Sequence, residues 1–320
     1  FQERLAYSEK PMEDLAGERE IMAWKKNAEG KSQYYYKFKK TKTKIIQKDW
    51  FKEHGYKRDK FSPQFFENVE KKLTPARRGY WAYAIDGDGS IGKNGKNSKG
   101  IVVVISLKDR EPVQQLADIY RTSISFIEYP EENWEPTYVT RLTGKRAYHF
   151  LCLICPYMTE KRKKATQLIN IFDPNYHPLK ISMNFRQNPD LLYPHMGMIG
   201  GFFDTEGSVG ISPREYKRQT KKFGERIYTG LNPWVDFSST DTRPLRKIKK
   251  ILETWPFNFT TTIRVKRKGL FRKNGEECNT CYALVISKYH HLLFMKMFSP
   301  WILITRKREY AEKFERKKQI

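Results

Sequence analysis

The chain has 320 residues, of which 61 are Lys or Arg and 36 are Asp or Glu, so its formal net charge is +25. This length predicts two or three domains, and the charge predicts a polyanionic partner, nucleic acid or an anionic membrane surface. No apolar run reaches the roughly 20 residues that span a bilayer, and the N-terminus lacks the basic-then-apolar pattern of a signal peptide. These features favour an intracellular protein bound to nucleic acid over one bound to a membrane.

Residues 1–75 form an N-terminal extension with no counterpart elsewhere in the chain. The run YYYKFKK at 34–40 mixes cations with aromatic rings, a composition that suits phosphate contacts combined with base stacking. A solvated charged face is the alternative. Two helices are predicted, near 46–54 and 62–73, and Ser62 followed by Pro63 is a favourable start for the second.

Residues 76–170 and 195–320 repeat one order of elements, and the proline-rich segment 171–194 connects them. The first repeat predicts an apolar helix ending near Gly87 or Gly89, a strand at 101–107, a helix at 111–120, hairpin strands at 123–129 and 137–143, and a buried helix at 146–158. The second predicts the same series at 196–205, 234–239, 243–255, 260–268, 282–288 and 289–301. The pattern indicates an α+β architecture with two antiparallel sheets.

Two motifs carry most of the functional information: WAYAIDGDG at 81–89 and IGGFFDTEG at 199–207. Small residues recur three apart in and just before both runs, which places them on one helix face. Glycine inside a helix costs about 1 kcal/mol relative to alanine, and close approach of another backbone is a compensating reason. We therefore expect the two motif helices to cross through Gly79, Ala82, Ala84, Gly197, Gly200 and Gly201. The crossing would set four acids side by side, namely Asp86, Asp88, Asp204 and Glu206.

Acids at the C-terminal ends of helices are disfavoured by the helix dipole and repel one another. A divalent cation offsets both effects, and hard oxygen ligands in small number suit Mg²⁺. In a basic protein this predicts metal-assisted hydrolysis of a phosphodiester. A solvated loop or Asx turn is the usual explanation of one such acidic pair, but duplication favours the metal site.

Zinc is the other metal to consider, because the four cysteines form two C-x-x-C pairs, Cys152 with Cys155 and Cys278 with Cys281. Structural zinc sites usually place each pair on a turn. Only the second pair has that setting, so we expect buried or incidental thiols.

The two motifs resemble those of the LAGLIDADG homing endonucleases of the single-chain, two-repeat type, over about residues 77–320. The resemblance implies a pseudo-symmetric pair of αββαββα repeats, whose two sheets lie along the major groove of a long double-stranded DNA target. It also implies an intron-encoded monomer that cuts both strands and leaves 3′ overhangs. The last acid of each motif, Asp88 and Glu206, would be catalytic and metal-binding. The carbonyls of Gly87 and Thr205 would assist two or three Mg²⁺ ions between these acids and the scissile phosphates.

Both repeats contain a proline followed by an aromatic residue, Pro156-Tyr157 and Pro300-Trp301, and in the same family a basic residue shortly after this Pro-aromatic step lies near the active site. This position is Lys161 in the first repeat, whereas the same count reaches Thr305 in the second, leaving Arg306 and Lys307 as candidates, with Lys307 preferred. Tyr83 stands where the motif usually has glycine, which predicts a looser or off-centre crossing. Leu107 and Ser239 fall where the family often has a polar, water-positioning residue. Because Leu107 is apolar, a catalytically impaired first repeat is an alternative, and the protein would then nick one strand only.

Side chains alternate across a strand, so DNA contacts should come from alternate residues on the sheet faces. The candidates are Ser90, Asn94, Lys96, Ser212, Arg214, Asp236, Arg264, Lys266 and Lys268. Each has a phosphate contact or a solvated charge as its alternative. Two other functions stay open: an RNA maturase that binds intron RNA and assists group I splicing, and a DNA-binding derivative that nicks or does not cleave. Retention of both motif acids favours cleavage.

Overall fold

A computed structural model describes residues 25–26, 32–33, 42–49, 61–95, 100–129, 135–179, 181–220, 224–267, 279–310 and 313–314, with the side chains of 25–42 and 213–231 left aside. Within these ranges, no helix has the length and apolar character that a bilayer crossing requires.

The first half begins with three strands, β1 (Lys25–Lys26), β2 (Ser32–Gln33) and β3 (Lys42–Gln47). It continues with α1 (Pro63–Lys72), α2 (Pro75–Gly87), β4 (Gly89–Lys93), β5 (Ile101–Leu107), α3 (Arg110–Tyr120), β6 (Ile124–Glu128), β7 (Thr137–Thr143), α4 (Lys145–Ile154) and α5 (Arg162–Ile169). The second half contains α6 (Leu192–Glu206), β8 (Gly207–Thr220), β9 (Gly224–Ser239), α7 (Thr242–Glu253), β10 (Thr261–Arg267), β11 (Cys281–Ile286), α8 (His291–Phe298) and α9 (Thr305–Arg308).

Two antiparallel sheets confirm the predicted fold class. The first has the strand order β3-β6-β7-β5-β4 and the second has the order β10-β11-β9-β8. Apart from β3, the two orders are the same, and each half runs helix, two strands, helix, two strands, helix. The architecture is therefore a tandem, pseudo-symmetric αββαββα repeat.

Strand β3 corrects the sequence reading of the N-terminal extension. A helix was predicted near 46–54, but residues 42–47 pair antiparallel with β6 and add a fifth strand to the first sheet. A buried ion pair follows, in which Arg146 Nη2 donates to Asp49 at 2.7 Å. The rest of the predicted helix and the YYYKFKK run lie outside the described residues. The second predicted helix is confirmed as α1, whose first turn is capped by the Ser62 hydroxyl.

The motif helices α2 and α6 cross with their backbones in close contact. A Cβ built on Gly197 would lie 1.8 Å from the Ala76 carbonyl oxygen, and one on Gly79 would lie 2.0 Å from that of Pro194. These two contacts are equivalent under the pseudo-symmetry of the two repeats, and Gly201 adds a third contact, against the Tyr80 carbonyl. Only glycine fits at such positions, so the small residues do form the predicted seam.

Two details of the predicted crossing were wrong. Gly200 faces the Trp301 carbonyl of its own half, 2.3 Å from a built Cβ, and not the other helix. Tyr83 does not loosen the crossing, because the backbones stay in close contact at Gly79, Gly197 and Gly201. Its side chain is fully buried, and its ring packs edge-on against Phe202 with centroids 5.6 Å apart. The Tyr83 hydroxyl also hydrogen-bonds to Thr159 at 2.8 Å.

The core lies between each sheet and its helices. In the second half, Phe203, Phe237 and Phe294 make mutual ring contacts at 5.4–5.9 Å and are completely buried. Burial of a side chain of this size contributes about 1.5–3 kcal/mol. Phe203 projects from α6, and the fully buried Trp81 and Ile85 project from α2, so both helices that end in the motif acids are anchored in the core. Core packing therefore also fixes where those acids lie.

Candidate active site

Asp88 and Glu206 lie at the adjoining C-terminal ends of the two motif helices. Asp88 is the C-cap residue of α2, and Glu206 is the last residue of α6. The helix ends touch: a Cβ on Gly87 would lie 2.5 Å from the Thr205 hydroxyl and 3.4 Å from Cγ of Glu206. The crossing therefore brings one acid from each repeat to a single point.

The electrostatics of this pair are unfavourable without a cation. Burial, together with the negative charge of Asp88, raises the pKa of Glu206 to about 7. Asp88 is exposed at the mouth of a cavity, yet the protein atoms crowded round its carboxylate still raise its pKa, and the ammonium groups of Lys307 and Lys161 oppose that rise. Two carboxylates with raised proton affinity are suited to exchange their protons for a divalent ion.

The first acid of each motif has a different task. Asp86 is 2% exposed and accepts hydrogen bonds from the backbone amides of Thr159 and Lys161 at 2.6 and 2.9 Å. Asp204 is 3% exposed and accepts from the Leu303 amide at 2.7 Å and from the Tyr80 hydroxyl at 2.8 Å. Both carboxylates are occupied in holding the segment after the Pro-aromatic step against the motif helix, so the paired site contains one acid per repeat.

Lys161 and Lys307 occupy equivalent positions. The Lys161 ammonium lies 2.7–3.0 Å from the carbonyl oxygens of Ile85, Asp86, Gly87 and Gly89, so these four acceptors share its three N–H donors. The Lys307 ammonium donates to the carbonyls of Phe203, Asp204 and Gly207 at 2.7–2.8 Å. Each lysine thus places a cation on the C-terminal end of a helix, where the dipole is negative.

Of the basic residues that the structure describes after the second Pro-aromatic step, only Lys307 repeats the geometry of Lys161. Arg306 instead makes a bidentate pair with Asp109 of the first repeat, both bonds at 2.8 Å. The count from proline is five residues to Lys161 and seven to Lys307, so simple counting reached Thr305. Burial lowers the pKa of Lys307 to about 8.

A cavity of about 640 Å³ opens beside Asp88 and extends between the two repeats. Its cationic lining comes from Lys108, Arg306, Lys307 and Lys313, and Ser106 lies close to Asp88 on the neighbouring strand. Leu107, named from the sequence, is buried. Its counterpart Ser239 accepts a hydrogen bond from the Asp241 amide at a turn. Sequence reasoning missed Ser106, although strand alternation could have shown that it, and not Leu107, points outward.

The donor set at the helix ends fits a hard divalent cation held partly by its substrate. Asp88 and Glu206 supply carboxylate oxygens, and the Gly87 carbonyl already accepts from Lys161 at 3.0 Å. Across the described residues, no cluster of three or more His, Cys, Asp or Glu side chains could hold a metal alone. Mg²⁺ characteristically combines one or two carboxylates with water and phosphate oxygens, so the pair is sufficient only when a phosphate completes it.

The cysteines do not resemble thiolate ligands. Cys152 and Cys155 lie on or next to α4, and burial raises the pKa of Cys152 to about 11. Cys281 begins β11, and Cys278 lies outside the described residues.

The predicted DNA contacts are distributed over both sheets. Ser90, Ser212 and Arg264 are exposed on strands, and Asn94 is exposed in the turn after β4. Arg214 sits opposite Gly230 in the register of β8 with β9. Lys266 donates to Asp236 at 3.3 Å and to Ser238 at 2.6 Å. Lys96 and Lys268 lie outside the described residues.

Comparison with known proteins gives structural likeness only. No protein-family model matches the sequence, and no curated protein matches it. Among solved structures, the LAGLIDADG meganuclease I-AabMI bound to uncleaved DNA is 16% identical, with a TM-score of 0.44, over 75% of this chain and 92% of that one. The homing endonuclease I-WcaI bound to its DNA recognition sequence is 14% identical, with a TM-score of 0.39, over 80% and 97%. Likeness at this level carries no argument about activity, which has to come from the site itself.

Proposed function

We propose that this chain is a site-specific endonuclease that hydrolyses phosphodiester bonds of a long double-stranded DNA target with Mg²⁺ and leaves 3′ overhangs. The observation that carries the proposal is the convergence of Asp88 and Glu206 at the crossing of two helices, where the negative charge of Asp88 adds to the burial that raises the proton affinity of Glu206. A protein that only bound nucleic acid would gain nothing from two repelling carboxylates at this position. Both repeats belong to one chain, so the enzyme would act as a monomer, inside the cell and on DNA.

Each group at the site has a role in this reaction. Asp88 and Glu206 would hold the metal, which when bound supplies Lewis-acid activation of a water molecule and of the scissile phosphate. The half-buried ammonium group of Lys161 and the buried one of Lys307 fix the carbonyls at the two helix ends. The exposed cations Lys108 and Arg306 line the cavity and would bind the phosphate backbone as it passes Asp88.

The two antiparallel sheets supply the surface for the duplex. Their antiparallel order is the same in both repeats, so a duplex lying across both would meet a two-fold related surface with the paired acids at its centre. The net charge of +25 favours binding to a long polyanion such as duplex DNA, and the affinity should fall steeply as the salt concentration rises.

The test is cleavage of a randomised duplex library, followed by sequencing of the ends produced with Mg²⁺ or with Ca²⁺. We expect ends with 3′ overhangs in Mg²⁺ that disappear in Asp88→Asn and in Glu206→Gln. Asp190→Asn, which changes an exposed acid outside the site, should cleave like the wild type. Intact DNA together with tight, specific binding to intron RNA would establish the maturase instead. Nicks confined to one strand would identify a nicking derivative.

A further inference from the structure

The outward faces of the two sheets can be compared position by position. In β5, Val103 and Ile105 are 1% exposed and face the core, so Val102, Val104 and Ser106 face outward. Gly89 pairs with Ile105 in the first repeat, as Gly207 pairs with Phe237 in the second. Val104 therefore corresponds to Asp236, and Ser106 to Ser238.

The outward face of the first sheet is nearly uncharged and consists of apolar side chains mixed with short hydroxyl side chains. One row across it runs Ser106, Val139, Ser125 and Ile45, through the registers of β5 with β7, β7 with β6 and β6 with β3. Ile45 is 46% exposed. The charged member of the face is Arg141, opposite Val104. The outward side chains described for this sheet are Thr43, Ile45, Ser90, Val102, Val104, Ser106, Ser125, Ile127, Thr137, Val139, Arg141 and Thr143.

The outward face of the second sheet carries an ordered polar group instead. The Lys266 ammonium donates to Asp236 at 3.3 Å and to Ser238 at 2.6 Å. Arg264 and Ala283 are paired, and Ala283 also pairs with Ser238, so Arg264 occupies the position that Ser125 has in the first sheet. Two cations thus stand where the first sheet has short or apolar side chains, and Asp236 holds one of them in place.

Base edges in the major groove respond differently to these two faces. Arg and Lys donate to guanine O6 and N7, whereas apolar side chains contact the thymine C5-methyl group. We propose that the two halves of the DNA target are read by different chemistry: the first sheet by apolar contact with thymine methyl groups, and the second by hydrogen bonds from Arg264 and Lys266 to guanine, with Asp236 as a positioning residue. This inference rests on the proposed function and specifies its substrate.

The test begins with a duplex selected by the wild-type protein in Ca²⁺. Arg264→Ala identifies the half under the second sheet, because specificity should relax there. Replacing thymine by deoxyuridine in the other half removes one methyl group per site, and each replacement should weaken binding about three- to fourfold. The same replacement in the half under the second sheet should leave the affinity unchanged.

Asp236→Val places valine in the second sheet at the position where the first sheet has Val104. It should reduce discrimination at a guanine-containing pair by about 5- to 150-fold, with a smaller loss of total affinity. Lys266→Met should relax the same base pair, which keeps the test open if Asp236→Val does not fold. Val104→Ala is the matched change in the first sheet and should leave that pair unaffected.

Equal responses to deoxyuridine in both halves, or a half under the first sheet without thymine on either strand, would overturn the inference while leaving DNA binding intact. If the wild-type protein selected no duplex at all, the proposed function itself would be wrong, and this result would be known at the first step of the experiment.

Discussion

Gly197→Ala tests whether the motif helices are in contact as described. The added Cβ would lie 1.8 Å from the Ala76 carbonyl oxygen, about 1.6 Å closer than the 3.4 Å at which ordinary van der Waals contact begins. The obstacle is backbone on both helices, so neither side can yield by a rotamer change. Overpacking of a core typically costs about 1–3 kcal/mol, and we expect a loss of at least about 2 kcal/mol. In a loosely packed helix the same change would stabilise by about 1 kcal/mol.

The sign of the effect therefore decides the question. Urea unfolding followed by circular dichroism measures it, with Gly92→Ala as the control, because a Cβ on Gly92 has nothing within 4 Å. A Gly197→Ala variant as stable as the wild type, or more stable, would refute the close crossing and with it the reason for Asp88 and Glu206 to meet.

Five further substitutions, in three comparisons, separate the roles of the site residues. Asp86→Asn should lower the free energy of unfolding by about 1–3 kcal/mol in urea titrations, because it weakens the bonds to the Thr159–Lys161 amides, whereas Asp88→Asn should not. In metal-free protein the pKa of Glu206 is about 7, above its unfolded value, so the folded state binds the extra proton and stability falls as pH rises from about 4.5 to about 7. Glu206→Gln should remove that fall and be more stable than wild type above pH 7 by about 1–3 kcal/mol; an unchanged pH profile of unfolding would contradict this. Lys307→Met should destabilise by about 1–3 kcal/mol and Arg306→Ala by at most about 1 kcal/mol, and equal losses in thermal unfolding would count against the helix-end role.

The sequence predicted the regular elements of the repeats well, because their signals are local. The strands at 101–107 and 137–143 match β5 and β7 to the residue. Strand β3 was missed, since its partner β6 lies some 80 residues further along the chain and nothing near Lys42–Gln47 records that pairing. Tertiary pairing decided the conformation of this segment, as it commonly does for edge strands.

At the site, the motif acids were found but two of the four were given the wrong surroundings. Asp86 and Asp88 are two apart, and residues two apart do not share a helix face, so helical periodicity alone could have separated them. The position of Lys307 could not be counted, because the second turn is two residues longer than the first. The apolar side chains on the outer face of β5 were visible in IVVVISL, whose valines fill both faces of that strand.

Metal binding in the presence of DNA tests the central claim most directly, namely that Asp88 and Glu206 form one metal site completed by the substrate. Titration calorimetry with Ca²⁺ should show binding to the wild-type complex with its selected duplex, weak binding to the protein alone, and a loss of affinity or stoichiometry in Asp88→Asn and in Glu206→Gln. Ca²⁺ binding that is equally tight without DNA, or unchanged in both variants, would contradict the account.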